Sequence, residues 1–276
     1  MDPHPGTGEL FASPVPPGAG WPGDLATPRT PRAKTQQDVV RLASSTRDLA
    51  TLDARSSVCR ACPRLVAWRE SVATGGWRAS FRDQPYWGRP SPGYGDPHPG
   101  LLIVGLAPAA NGANRTGRIF TGDRSGDWLY AALYRVGLAN RPVSVSAGDG
   151  LELNGVRITA PVHCAPPANK PTTVERDTCR AWLTRELELL WPGVRAVVVL
   201  GAFGWNSLWP TLRACGILTP ARVPRFAHGV EAQVDGRLAI GSYHVSQQNT
   251  FTGRLTEPML DAVLKRAADA AGLSVR

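Results

Sequence analysis

Leu101-Leu102-Ile103-Val104-Gly105 is a short, unbroken apolar run that stops at a glycine, the pattern of a parallel strand buried on both faces. It feeds a Gly/Ala/Asn-rich loop over 106–123 and then a helical pattern over 127–136. The unit recurs. Residues 156–162 read as a second strand ending at Cys164, and Thr172-x-x-Glu175 is a capping-box pattern that opens a helix over 174–190. Ala196-Val197-Val198-Val199-Leu200 is a third strand, stopped by Gly201 before a helical stretch to Leu208. Asp235-Gly236, flanked by 226–234 and 238–242, predicts a two-residue hairpin, and a last helix spans 256–271. Strand, loop and helix in alternation predict a three-layer α/β/α sandwich with a mainly parallel central sheet. Ligands in such sheets bind at the carboxyl ends of the strands, so the loops after Val104, Val162, Leu200 and Tyr243 are the places to search.

Outside these units the pattern thins. Residues 1–35 carry eight prolines and little apolar periodicity, which predicts a disordered tail ahead of a single domain over 36–276. Spaced apolar residues over 37–52 suggest a short helix, and another follows Cys59-Arg60-Ala61-Cys62-Pro63 through Trp68. Residues 75–100, with Trp77, Phe81, Tyr86, Trp87 and Tyr94, read as a long ordered loop.

The 276 residues hold 31 Lys+Arg against 22 Asp+Glu, a formal charge of +9. No run of 18 apolar residues exists, which excludes a membrane helix, and the first nine residues lack the form of a secretory signal. Glycine has no strict period and no heptad is sustained, so collagen and coiled coil are excluded. A soluble, basic protein of the cytoplasm is expected. Only Lys34, Lys170 and Lys265 are lysines. Arginine in such excess suits a polyanion, because guanidinium grips phosphate with two bonds; codon bias in a GC-rich genome produces the same excess.

There are five cysteines, an odd count that argues against a disulfide framework in a chain without a secretion signal. Cys59 and Cys62 have the spacing of a metal clip. Cys164 ends a strand and Cys179 sits on the following helix, so both can converge on that pair. Four thiolates suit a structural zinc or a [4Fe–4S] cluster, and spacing does not separate the two. Cys164 and Cys179 as ordinary buried thiols is the plain alternative, and it is the reading for Cys215.

The loop over 105–118 is neither a dinucleotide fingerprint nor a phosphate-binding Walker loop. Its small residues allow another molecule close to the backbone. Phe120 and Asp123 then bring a ring and a carboxylate together, although Phe120 also fits a core and Asp123 a helix cap. The stretch 242–254 leaves a strand with a His, two Gln, an Asn and several hydroxyls, and His244 is a candidate donor to a developing anion.

Three motifs now stand in order: GLAPAANGANRTGRIFTGD (105–123), HCAPPANKP (163–171) and HVSQQNTFTGRLT (244–256). Together they resemble the family-five, or type B, uracil-DNA glycosylases. The resemblance implies that Cys59, Cys62, Cys164 and Cys179 are iron–sulfur ligands. It implies a monofunctional enzyme that hydrolyses the N-glycosidic bond of uracil in DNA, and of other deaminated bases such as hypoxanthine, leaving an abasic site for base excision repair. By motif, Phe120 stacks on the flipped base, Asp123 and Asn169 position the attacking water, and His244 donates to the uracil carbonyl. Gly105, Ala107 and Asn114 belong to the base-binding loop; Gln247, Gln248, Asn249 and Arg254 face DNA, with Asn249 also a possible loop anchor. Ala107 occupies a place where other glycosylase families carry a polar, water-activating residue. One position departs from the pattern, Asn111, where a His is expected. The expected partner is DNA holding uracil or another deaminated base, met by a monomer at the nucleoid and away from membranes. Two alternatives of other classes are a catalytically silent lesion-binding protein on this fold and a zinc-stapled nucleic-acid-binding module.

Overall fold

The run at 101–105 forms β4 (Leu101–Val104), and its alternating side chains feed both faces of a sheet: Leu101 and Ile103 join one core, Leu102 and Val104 the other. The computed structural model describes residues 1–75 and 78–275; Trp77 lies outside the described residues. Around β4 lie β3 (Tyr94–Gly95), β5 (Val156–Thr159), β6 (Ala196–Leu200), β7 (Glu231–Val234) and β8 (Arg237–Ser242) in one six-stranded sheet of order β3-β5-β4-β6-β8-β7. The four inner strands are parallel, and β3 and β7 close the edges antiparallel. Asp235 and Gly236, both at positive φ, make the predicted hairpin between β7 and β8.

Helices α5 (Arg124–Arg135) and α9 (Glu257–Ala271) cover one face, through residues such as Leu129, Leu133, Leu260 and Leu264. On the other face lie α6 (Thr173–Leu190) and α7 (Ala202–Ala214), with Leu183, Leu187, Trp205 and Leu208 inward. This is the expected three-layer sandwich. The helix from Gly201 outruns its sequence reading, passing through Pro210 because Trp209 and Leu212 beyond Leu208 still pack on the sheet. The stretch over 37–52 divides into α1 (Gln36–Ser44) and α2 (Leu49–Ser57), since Asp48 caps a new start by accepting from Thr51 N at 2.7 Å. Both helices rest on α6 through Trp182. The helix α3 (Pro63–Thr74) follows Cys62 with Pro63 in its first turn, where a missing N–H costs nothing.

Residues 1–35 differ from the tail that their composition predicts. β1 (Asp2–Pro3) and β2 (Leu10–Phe11) pair antiparallel, and Phe11, Val15 and Trp21 are buried with Trp87 and Ala147 in a separate cluster. Asp24 ion-pairs with the buried Arg89, and Val15 N donates to the Trp87 carbonyl at 3.1 Å. The prolines stiffen this strap without removing its anchors. Three large side chains at irregular spacing supply the burial that a search for periodicity overlooks.

Candidate active site and cysteine cavity

A cleft of about 1000 Å³ opens over the loops that leave the parallel strands. Two short helices border it, α4 (Ala113–Thr116) and α8 (Gln247–Phe251). Asp123, Asn169, Gln247 and Gln248 line it, so four of the expected residues share one wall system. Asp123 is both the helix cap and the cleft residue. Its Oδ1 accepts from Ser125 N at 2.9 Å and Gly126 N at 3.1 Å, the first turn of α5. Burial raises its pKa, while those two N–H groups oppose the rise. Gly112 makes room for the carboxylate, because a Cβ there would overlap it. Asn169 ends a tight turn, Pro167–Asn169, and both Ala168 (φ 52°) and Asn169 (φ 55°) are left-handed on the cleft wall.

Phe120 and His244 are brought to each other, ring centroids 6.0 Å apart. Phe120, at φ 53°, counts in the core, and its ring edge lies 2.8 Å from where a Cβ on Gly105 would stand, so Gly105 supports the ring rather than facing the cleft. Burial pushes the His244 imidazole down to about 4, so it is neutral across the physiological range. Ala107 packs with Leu65 and Val162. Asn114 departs from the expected base contact: α4 turns it inward, buried, with Nδ2 donating to the Arg69 carbonyl at 3.1 Å. Asn249 is the loop anchor, Nδ2 donating to the His244 carbonyl at 2.8 Å, and the exposed Arg254 stacks on Tyr243 with its guanidinium carbon 4.5 Å from the ring centre.

The structure gives a place to Asn111, the position that departs from the family pattern, and adds residues that the motifs did not single out. Asn111 lines the cleft, and its Oδ1 accepts from the Tyr86 hydroxyl at 2.8 Å. Burial holds that phenol up at about 12, so it stays a donor. On the same wall, Gln84 Oε1 accepts from Arg115 Nη1 at 2.6 Å. Both amide oxygens are thereby occupied, and both amide NH₂ groups remain for the cleft. Arg115 also donates to the Asn111 carbonyl (3.1 Å) and the Gly122 carbonyl (3.0 Å), tying the small-residue loop to the Asp123 turn. The departure at Asn111 pointed to this loop but not to its partners, since Tyr86 and Gln84 come from the irregular segment ahead of β3.

Cys59, Cys62, Cys164 and Cys179 all line a second, narrow and largely apolar cavity behind α3. Among the described residues no group of three or more His, Cys, Asp or Glu is drawn into the arrangement of a single metal ion's ligands. Burial first, and then the neighbouring thiols, push Cys62 up to about 12 and raise Cys59 and Cys179 as well. Such thiols stay protonated unless a cationic centre takes up their charge. Polar atoms that lack a hydrogen-bond partner also border the cavity: both ring nitrogens of His163, Trp182 Nε1 and Arg69 Nε. Four convergent thiols with idle N–H donors fit a group that carries acceptor sulfides of its own.

No described helix is long and apolar enough to cross a membrane. The model of the uracil DNA glycosylase superfamily matches residues 92–268. A type-5 uracil-DNA glycosylase of Mycobacterium tuberculosis is 58% identical over 271 residues, covering 98% of this chain and 99% of its own. One from Mycobacterium leprae is 60% identical over 223 residues, covering 80% of this chain and 95% of its own. One from Thermus thermophilus is 50% identical over 218 residues, covering 79% and 95%.

Proposed function

The chain belongs to the uracil-DNA glycosylase superfamily, and from that membership we propose that it hydrolyses the N-glycosidic bond of uracil in DNA, and of other keto bases left by deamination. The observation that carries this reading is the Asp123 carboxylate, half-buried on the cleft wall and fixed by two backbone N–H groups. A base inside a duplex is out of reach, so the nucleotide turns out into the cleft at a cost of a few kcal/mol in stacking. The C1′–N bond then breaks with its electron pair on the base. Water bonds to C1′, and its proton passes to Asp123, whose negative charge also faces the cationic sugar. Asn169, on the same wall, helps to hold that water. The departing base anion is met by an N–H of neutral His244 and by N–H groups of the loop at 105–114. Locked NH₂ groups at Asn111 and Gln84 complement carbonyl oxygens and repel amino groups, which favours uracil and hypoxanthine over cytosine and adenine.

Cys59, Cys62, Cys164 and Cys179 would hold a [4Fe–4S] cluster, with zinc as the other candidate for the same thiols. When bound, such a cluster cross-links α3, the exit of β5 and α6; hydrolysis itself involves no electron transfer. The test is excision on short duplexes holding one uracil, one hypoxanthine or neither, with the protein's visible spectrum and iron content recorded. Alkali-labile sites at uracil are expected, from brown protein. Binding without any excision would overturn the reading in favour of a silent lesion binder, and colourless, zinc-loaded active protein would overturn the cluster.

A further inference from the structure

We propose that Arg69 is the counter-cation and hydrogen-bond donor of the iron–sulfur cluster, holding it in place and raising its reduction potential. The proposal rests on the cluster reading above. Arg69 lies on α3 with 1% of its surface exposed, in a place where a guanidinium normally has a carboxylate. It has none: among the described residues its partners are the Cys164 sulfur, 2.8 Å from Nη1, and the Cys59 carbonyl, 2.9 Å from Nη2. Its Nε donor is idle. It is also close enough to be felt by another cation, Arg89, which Asp24 neutralises.

A guanidinium does not shed its proton in a protein, so this charge must be balanced where it sits. Among the described residues, the groups that interact with it and can supply negative charge are Cys164, which it touches, and Cys59 and Cys62, and they do so when a metal centre deprotonates them. A four-iron cluster with four cysteinate ligands is a net anion, and charge and hydrogen bonds at the ligand sulfurs set both its stability and its potential. Arg69 meets both terms at once. It also accepts, through its own carbonyl, the bond from Asn114 in the base-binding loop. One residue therefore touches two cluster ligands and the loop under the cleft, which makes it a positioning residue for that loop.

The test uses the full-length protein with its metal. Arg69→Gln keeps a donor and removes the charge; Arg69→Lys keeps the charge. The expected result is a wild-type protein with four irons, a more negative reduction potential and faster iron loss to a chelator for Arg69→Gln, and values near wild type for Arg69→Lys. Equal potentials and equal iron loss in Arg69→Gln and wild type would overturn the proposal. A second measurement needs no variant: wild-type protein grown with ¹⁵N-arginine should show a guanidinium nitrogen coupled to the reduced cluster's electron spin, and its absence would equally overturn it. Wild-type protein without iron would instead overturn the cluster reading itself, so the two failures are distinct.

Discussion

On the proposed mechanism Asp123 and His244 divide the work, and burial acts on the two in opposite senses. Removing water raises the acid and lowers the base, so each is driven toward its neutral form. The consequence for pH is asymmetric. His244, depressed to about 4, holds one protonation state from pH 5 to 8 and contributes no bend there. On the proposed mechanism Asp123 must be ionised, so excision should fall as pH drops through an Asp123 pKa that burial holds above that of a free aspartate. A single-turnover profile checks this, and a bend near 6.5 would show an imidazole titrating instead. Asp123→Asn keeps a good helix cap and removes a carboxylate that burial disfavours. The sign follows from linkage: a raised folded pKa means the ionised form weakens the fold, so the variant should melt no lower than wild type while excision drops by at least about 10²-fold. At Tyr86 the lock on Asn111 can be opened. Tyr86→Phe frees that amide to turn its oxygen outward, and the preference for uracil over cytosine should shrink, read as a ratio of excision rates. An unchanged ratio would mean that Asn111 does not face the base.

At the scale of elements, the capping box at Thr172 shows how much a local pattern settles. Thr172 accepts from Glu175 N at 3.2 Å, and Glu175 reaches back to Thr172 N at 2.7 Å, as the spacing predicts. The same Glu175 also takes two bonds from Arg64, at 2.8 and 2.7 Å, which joins α6 to α3, the helix behind Cys62. Sequence pattern revealed the cap and not the bridge, because the bridge depends on which helices meet. Glu175→Ala should therefore lose both, with a cost of about 1–2 kcal/mol read from urea unfolding, and it should release iron sooner than wild type. The strands were legible for the same local reason: 196–200 is apolar at every position and is buried at every position. The helix boundaries moved where packing overruled composition, at Pro210 and at the break before Asp48. The motif residues were legible as a set, yet Asn114 turns inward because α4 is a single helical turn whose inner side the motif alone does not define.

Over the whole molecule, the strap at 1–35 and the surplus of arginine act on the same cleft. Pro5 lines it, so the segment forms part of the wall as well as covering Trp87. Deleting 1–35 bares an aromatic cluster whose side chains each contribute about 1.5–3 kcal/mol of burial, offset in part by the freed chain's entropy, so the truncated protein should melt several degrees lower. Part of the pool of 31 cations is tied up within the fold, since arginines such as Arg89, Arg118, Arg135 and Arg157 are paired with carboxylates. Arg78 and Arg124 line the cleft and, among the described residues, have no ion pair; Arg124 lies over Phe251 instead. These are the cations that can exchange water and counterions for phosphate. If each neutralises one phosphate, replacing it by Ala weakens binding to every DNA sequence alike. It also lowers the slope of log affinity against log salt by about 0.9 in duplex DNA. Measured by titration at several salt concentrations, Arg78→Ala and Arg124→Ala should each show that loss, while Arg135→Ala, whose charge Asp261 already takes, should leave the slope unchanged. An Arg135→Ala slope as reduced as the others would mean that overall charge, and not the cleft, governs how this protein meets DNA.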